Sequence, residues 1–280
     1  MEKYGGVPET LGDLAVIIEN DADKEAVRLL EKRLKANAEG EMPEGRMKAR
    51  PDGEMPEGRE NDLVLRLDKD GLALTGNGQL LRGDFTKMQP RIHPGNLSRE
   101  LLVKAAKIKG ETGELTAVDA TAGLGEDAFL LAAAGFSVKL YEYDPVIAAL
   151  LRDALYRASK IAGLAAIAGR MQLFEADSQT ALTHLETSPA VILLDPMFPA
   201  RQKSGLIKKK FQLLQQLERP CPDADADALL YAALAAHPRK VVIKRPFKGP
   251  YLAGRKPDYS LKGKAIRYDC IVLPPVCKIP

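Results

Sequence analysis

From Ser98 onward the chain alternates short apolar runs with stretches in which apolar residues recur every three or four positions. The runs LTAVD (Leu115–Asp119), SVKLYE (Ser137–Glu142), Met171–Glu175, VILLD (Val191–Asp195), KVVIK (Lys240–Lys244) and Ile266–Leu273 predict strands. Between them the spacing predicts helices over Asp127–Ala134, Pro145–Ile161, Lys209–Leu217 and Asp225–Ala236. Pro145 fits a first helical turn, where its missing N–H costs nothing. One more helix is expected from a Ser98 cap to about Lys107. Strands apolar on both faces and separated by helices predict a mostly parallel sheet covered on both sides, an α/β, doubly wound fold.

The first 90 residues read differently. Ala15–Glu19 looks like a buried strand and Lys24–Lys35 like a helix, and alternating runs follow at Leu63–Leu67, Leu72–Thr75 and Leu80–Phe85. They predict a small strand-rich α+β lobe over residues 1–90, ahead of a larger domain over 91–280. The heptapeptide GEMPEGR occurs at Gly40–Arg46 and again at Gly53–Arg59. Its only apolar side chains are Met and Pro, so it cannot bury a face as a solenoid repeat must, and it predicts a solvated insertion over 37–60.

Composition narrows the class further. With 45% hydrophobic residues in 280, and 41 Lys+Arg against 38 Asp+Glu, whole-chain disorder is excluded. No apolar run approaches the ~18 residues of a membrane span. The start carries Glu2, Glu9, Asp13 and Glu19 where a secretory leader would be basic and then apolar, so the expected location is the cytoplasm. Cys221, Cys270 and Cys277 form no CxxC, and His93, His184 and His237 are scattered, so no metal site is expected. Oligomeric state is not legible.

In a doubly wound sheet ligands bind beyond the carboxyl ends of the strands, and four of these ends carry an acid. Asp119 leads into DATAGLGEDAF, in which Gly123, Gly125 and Ala128 fit a G-x-G-x-x-A turn. Glu142 follows roughly 20 residues beyond Gly123, where a carboxylate can take both ribose hydroxyls of an adenosine. A dinucleotide and S-adenosylmethionine both fit this far. A dinucleotide would set its pyrophosphate on the helix N-terminus, where Glu126 and Asp127 stand. Each such pair of like charges costs ~1 kcal/mol at 4 Å even in water. S-adenosylmethionine brings a sulfonium and an ammonium instead, and Asp119 can receive the ammonium directly or through water. Asp177, ending the third strand, can accept from the adenine amino group, or cap the next helix together with Ser178.

The tetrapeptide Asp195-Pro196-Met197-Phe198 ends the fourth strand. Pro196 removes a backbone donor and forces an irregular exit. The Asp195 carboxylate and an adjacent carbonyl can accept both hydrogens of an exocyclic amine, and Phe198 offers a ring for stacking a nucleobase. That set suits transfer of a methyl group to a base amine. Around it cations crowd the last third of the chain. Lys203, Lys208, Lys209, Lys244, Arg245, Lys262, Lys264 and Arg267, with Tyr251 and Tyr259 interspersed, predict an RNA-facing rim.

Together DATAGLGEDAF, LYEYDPVIAALL, LLDPMFPARQKSGLIKKK, the DADA-LL helix start and VVIKRP resemble the small-subunit ribosomal RNA (guanine-N2)-methyltransferase J family over about Leu97–Val272. The resemblance implies a Rossmann-like S-adenosylmethionine-dependent methyltransferase that places one methyl on the N2 amine of a guanine in small-subunit ribosomal RNA. It also implies cofactor contacts at Glu126, Asp127, Glu142, Tyr143, Asp177, Ser178 and Asp195. Three other readings stay open on the residues alone: an amino-methyltransferase for adenine or cytosine in RNA or DNA, a non-catalytic RNA-binding protein on the same scaffold, and a nicotinamide oxidoreductase.

Overall fold

The computed structural model describes residues 10–11, 14–38, 63–110, 113–196, 213 and 223–274. Five strands open the chain: β1 (Thr10–Leu11), β2 (Leu14–Ile18), β3 (Val64–Asp68), β4 (Gly71–Gly76) and β5 (Gln79–Leu81), with helix α1 (Lys24–Ala38) after β2. Next come a 3-10 turn at Phe85–Met88, the one-turn helices α2 (Gln89–Ile92) and α3 (Pro94–Leu97), and helix α4 (Leu101–Ala106). The alternating part follows as β6 (Leu115–Asp119), α5 (Glu126–Ala133), β7 (Phe136–Glu142), α6 (Pro145–Ser159), α7 (Ala165–Ala168), β8 (Met171–Glu175), α8 (Ser178–Thr183), β9 (Val191–Leu194), α9 (Asp223–Ala235), β10 (Lys240–Pro246), β11 (Tyr259–Lys262) and β12 (Ile266–Val272).

Two compact units result. The first holds the chain up to Asp84 together with Asp144–Arg157. Its sheet runs β1-β2-β3-β4-β5, parallel only between β2 and β3. Leu65 and Leu67 from β3, Leu72 to Leu74 from β4, and Leu30 and Leu34 from α1 are buried in it. Asp144 caps α6 by accepting from the N–H groups of Val146 and Ile147 at 2.8 and 2.9 Å, which leaves Pro145 at the first position, as its chemistry favours.

The second unit holds Phe85–Tyr143, the described residues of 158–200, and those after Pro220. Its sheet has the order β11-β12-β10-β9-β6-β7-β8, parallel from β10 to β8 and antiparallel at β12 and β11. Val118, Ile192, Leu194, Val241 and Ile243 point to one face and pack with Leu182 of α8 and Ala226, Leu229, Leu230 and Ala233 of α9. Alternate residues such as Ala117, Leu193 and Val242 are as deeply buried, which a strand achieves only when its second face is covered too. α4 and α5 supply that second layer, packing on each other and on β10, β12 and β7. The fold is Rossmann-like and doubly wound.

Two expectations need correction. Ser98 does not cap a helix: it closes α3, and α4 starts after Glu100, whose side chain makes no cap bond. The hairpin partner β11 was not predicted at all, since YSLK is short, polar at alternate positions and preceded by Pro257. Of the helix expected over Lys209–Leu217 only Leu213 is described; the insertion beyond Ala38, Met197, Phe198, Lys203, Lys208 and Lys209 lie outside the described residues.

Candidate active site

The strand order reverses at β6, with β7 on one side and β9 on the other, so the crevice of an open α/β sheet falls between the carboxyl ends of β6 and β9. Asp119 and Asp195 stand there. The β6–α5 turn is held open by Gly123 and Gly125, at φ of 53° and 75°, a left-handed conformation that disfavours a side chain. Among the described residues, a Cβ built on Gly123 meets no atom within 4 Å. Glu142 fixes this turn, its Oε2 accepting from the Gly123 N–H at 2.8 Å.

Thr121 ties the two strand ends together. Its N–H donates to Asp119 Oδ1 at 3.1 Å, and its Oγ1 accepts from the Asp195 N–H at 2.7 Å. The β9–β10 ladder pairs Leu194 with Ile243, and the next residue of β10 is Lys244. Its Nζ lies 2.6 Å from Asp127 Oδ2 and 2.8 Å from Asp195 Oδ2. One lysine thus joins the first turn of α5 to the end of β9.

The protonation states follow from this layout. Asp119 is 2% exposed, and burial, with Asp127 and Asp195 adding repulsion, pushes its carboxyl up to about 7 against the Thr121 N–H and Lys244. Burial also raises Asp195, while Lys244 pulls it down. For Lys244 burial works against the charge, but Asp127 and Asp195 outweigh it and hold the ammonium above its ordinary value. Tyr268, across the ladder from Lys244, is raised by burial and by Asp127. Among the described residues the site therefore gathers Asp119, Asp127 and Asp195 about Lys244. That arrangement repels phosphate and suits a ligand bearing positive charge.

The other expected residues divide. Glu126 is exposed in the first turn of α5, and Tyr143 is 68% exposed. Asp177 caps α8: its carboxylate accepts from the N–H groups of Gln179 and Thr180 at 3.1 Å each, with Ser178 as the first helical residue. Pro196 is two residues past Leu194, the last paired residue of β9, and is buried. Of the cations expected on the RNA face, Lys262 and Lys264 are exposed. Arg245 and Arg267 are not. They are 2% and 5% exposed, Arg245 donating to the Pro250 carbonyl and Arg267 pairing with Asp269, so neither can meet a phosphate. Lys244 is likewise engaged within the carboxylate cluster. Residue types alone had not revealed Thr121, Tyr268 or the pairing role of Lys244. For Thr121 the only signal was its place in the DATAG turn; Lys244 and Asp127 are 117 residues apart in sequence.

Glycine turn, acid-rich strand ends and parallel sheet together define an S-adenosylmethionine-dependent methyltransferase. The family described as "Putative SAM-dependent methyltransferase" matches residues 52–273. Ribosomal RNA small subunit methyltransferase J of Marinobacter nauticus is 42% identical over 214 residues, 74% of this chain and 76% of that protein. Its counterpart in Thioalkalivibrio sulfidiphilus is 42% identical over 221 residues, covering 75% and 84%. That of Stutzerimonas stutzeri is 52% identical over 153 residues, of which this chain spans 58% of the relative's length. The crystal structure of a SAM-dependent methyltransferase from Neisseria gonorrhoeae superimposes with a TM-score of 0.68 at 27% identity, covering 92% of this chain and 95% of that one. The chain belongs to the ribosomal RNA small subunit methyltransferase J family of S-adenosylmethionine-dependent enzymes.

Proposed function

We propose that this protein methylates the exocyclic N2 amine of a guanine in small-subunit ribosomal RNA, acting in the cytoplasm on the RNA or on the small ribosomal subunit. The observation that carries the reading is Asp195 just beyond the end of β9, its backbone N–H donating to the Thr121 hydroxyl and its carboxylate paired with Lys244. The names of the relatives supply the RNA class.

S-adenosylmethionine, when bound, supplies a methyl group already activated on a sulfonium. Asp119 is the group suited to its ammonium, Glu142 to its ribose hydroxyls, and the open side of Gly123 to close approach of its body. Asp195 would accept a hydrogen bond from the target amine, aligning its lone pair with the methyl and steadying the positive charge that grows on nitrogen as the N–C bond forms and the S–C bond breaks, and the surplus amine proton would leave past Asp195 to solvent. Lys244 opposes the rise that burial imposes on Asp195 and so favours the carboxylate as an acceptor. Pro196 has no N–H to extend the ladder and turns the chain out of the sheet at this point. Phe198 is the ring the sequence offers for stacking the base.

The test is transfer of radiolabelled methyl from S-adenosylmethionine to small subunits lacking the modification, with digestion to nucleosides. Label in N2-methylguanosine with the wild type, lost in Asp195→Ala while cofactor binding persists, supports the assignment. Label in N6-methyladenosine or N4-methylcytidine would keep the chemistry and overturn the base.

A further inference from the structure

Arg245 and Arg267, removed from the RNA-facing set by their burial, have another task. Arg267 Nη1 donates to the carbonyls of Pro246, Phe247 and Gly249 at 2.8, 2.9 and 2.9 Å, and Arg245 Nε donates to the Pro250 carbonyl at 2.9 Å. Asp269 holds Arg267 from below at 2.9 Å. Four carbonyls of five successive residues are thus gathered on two buried guanidiniums. The turn is also closed from its other side: Gly249 N–H donates to the Pro246 carbonyl at 2.9 Å, and Phe247 N–H to that of Ala265 at 2.9 Å. A Cβ on Gly249 would come within 3.3 Å of Pro246. Such an anchorage fixes the loop's backbone in one conformation.

The side chains that this loop presents are out of keeping with a solvated turn. Phe247 is 40% and Tyr251 41% exposed, and the guanidinium of Arg267 lies 5.1 Å from the centre of the Tyr251 ring, fastening the ring from behind. Lys248, Lys262 and Lys264 are exposed nearby in the fold, Lys262 pairing across the ladder with Arg267. The loop begins three residues past Lys244, at the end of β10, so it stands on the same rim as the carboxylate cluster. Tyr259 does not: it pairs with Cys270, three residues further down β12, and lies under Lys240 at the other end of β10.

Resting on the proposed function, we infer that the Phe247–Tyr251 loop is a preorganised stacking platform for single-stranded RNA next to the target nucleotide. Rings with exposed faces accept any base, lysines beside them take the phosphates on either side, and buried arginines remove the entropy cost of ordering the loop on binding. Other occupants fit less well. An acidic peptide would use the lysines but leave two fixed rings without purpose, and an apolar partner would strand three ammonium groups.

The experiment is fluorescence anisotropy with a labelled single-stranded RNA oligonucleotide on the full chain, alongside S-adenosylmethionine affinity and thermal midpoint. Phe247→Ala should weaken RNA binding roughly tenfold, with cofactor affinity and midpoint unchanged. Tyr251→Phe keeps the ring and should bind within about twofold of wild type, whereas Tyr251→Ala should lose as much as Phe247→Ala. Binding unchanged in both alanine variants, or weakened only in step with the midpoint, overturns the platform, as does a wild type that binds no RNA. Methyl transfer run in parallel separates the two failures. RNA held through these rings without methyl transfer leaves the platform standing and sinks the enzymatic reading; transfer that ignores both alanine variants does the reverse.

Discussion

At the scale of single residues the site is a balance between burial and one lysine, and pH is the way to read it. The Asp119 carboxyl, pushed up to about 7 by burial, keeps its proton in the folded protein over a window where an unfolded chain has released it. The folded state then binds more protons, so stability falls as pH rises from about 4 to about 7 and is level above. Asp119→Asn should remove that component, seen as the difference between the two proteins' urea midpoints across this range. A carboxylate that receives an ammonium must first lose its proton. Affinity for S-adenosylmethionine should therefore rise by up to roughly tenfold per pH unit until about pH 7 and then level, and the asparagine variant should show weak, flat binding by calorimetry. Lys244 works in the opposite sense on Asp195, pulling down what burial raises. Lys244→Met should shift the acid limb of kcat/KM to higher pH, with a loss that is largest at the acid end and narrows as pH rises. Lys244→Arg should recover part of it. A uniform loss at all pH values would assign Lys244 to packing alone.

At the scale of elements, short segments do separate jobs that substitution can divide. Asp177 already makes the cap bonds of α8, so Asp177→Ala should cost about 1 kcal/mol in denaturant unfolding. Asp177→Ser restores a cap, and comparing their cofactor affinities tells whether the carboxylate has a second job on adenine: equal affinities in both variants and the wild type would exclude it. Gly123→Ala forces a side chain into the left-handed region, at about 1–2 kcal/mol, where it meets no atom of the described residues. Its cofactor affinity should fall further than its stability. These elements were largely legible beforehand because a strand covered on both faces is written in its own residues: Val191–Leu194, all buried, could be little else. What sequence could not give was pairing at a distance. Ser98 is a good cap residue by type, yet the turn at His93–Arg99 is closed by backbone bonds, including Arg99 N–H to the Asn96 carbonyl, that override it. β11 owes its existence to β12 rather than to its own pattern.

At the scale of the whole molecule, a net charge of +3 cannot by itself hold RNA, and affinity has to come from where the cations stand. Counting lysines and arginines in the last third of the chain put exposed Lys262 and Lys264 in one set with buried Arg245 and Arg267, because burial is not written in residue type. Arg267 carries the same charge as Lys264, yet its guanidinium lies 2.9 Å from Asp269 and is shut off from solvent. The two kinds of cation should part under salt. An exposed lysine that neutralises one phosphate contributes about 0.7 to the slope of log affinity against log salt for a single strand. Lys262→Gln and Lys264→Gln should each lower the slope by about that amount and leave the thermal midpoint alone. Arg267→Met should behave the other way, since it leaves Asp269 buried without its partner and releases the carbonyls of Pro246, Phe247 and Gly249. Loss of one member of a buried pair costs about 3–5 kcal/mol, so the midpoint should drop by several degrees or more while the salt slope of the remaining folded protein stays as it was. A salt slope that fell with Arg267 and not with the two lysines would mean that the RNA reaches the buried arginine, and the rim would have to be redrawn around it.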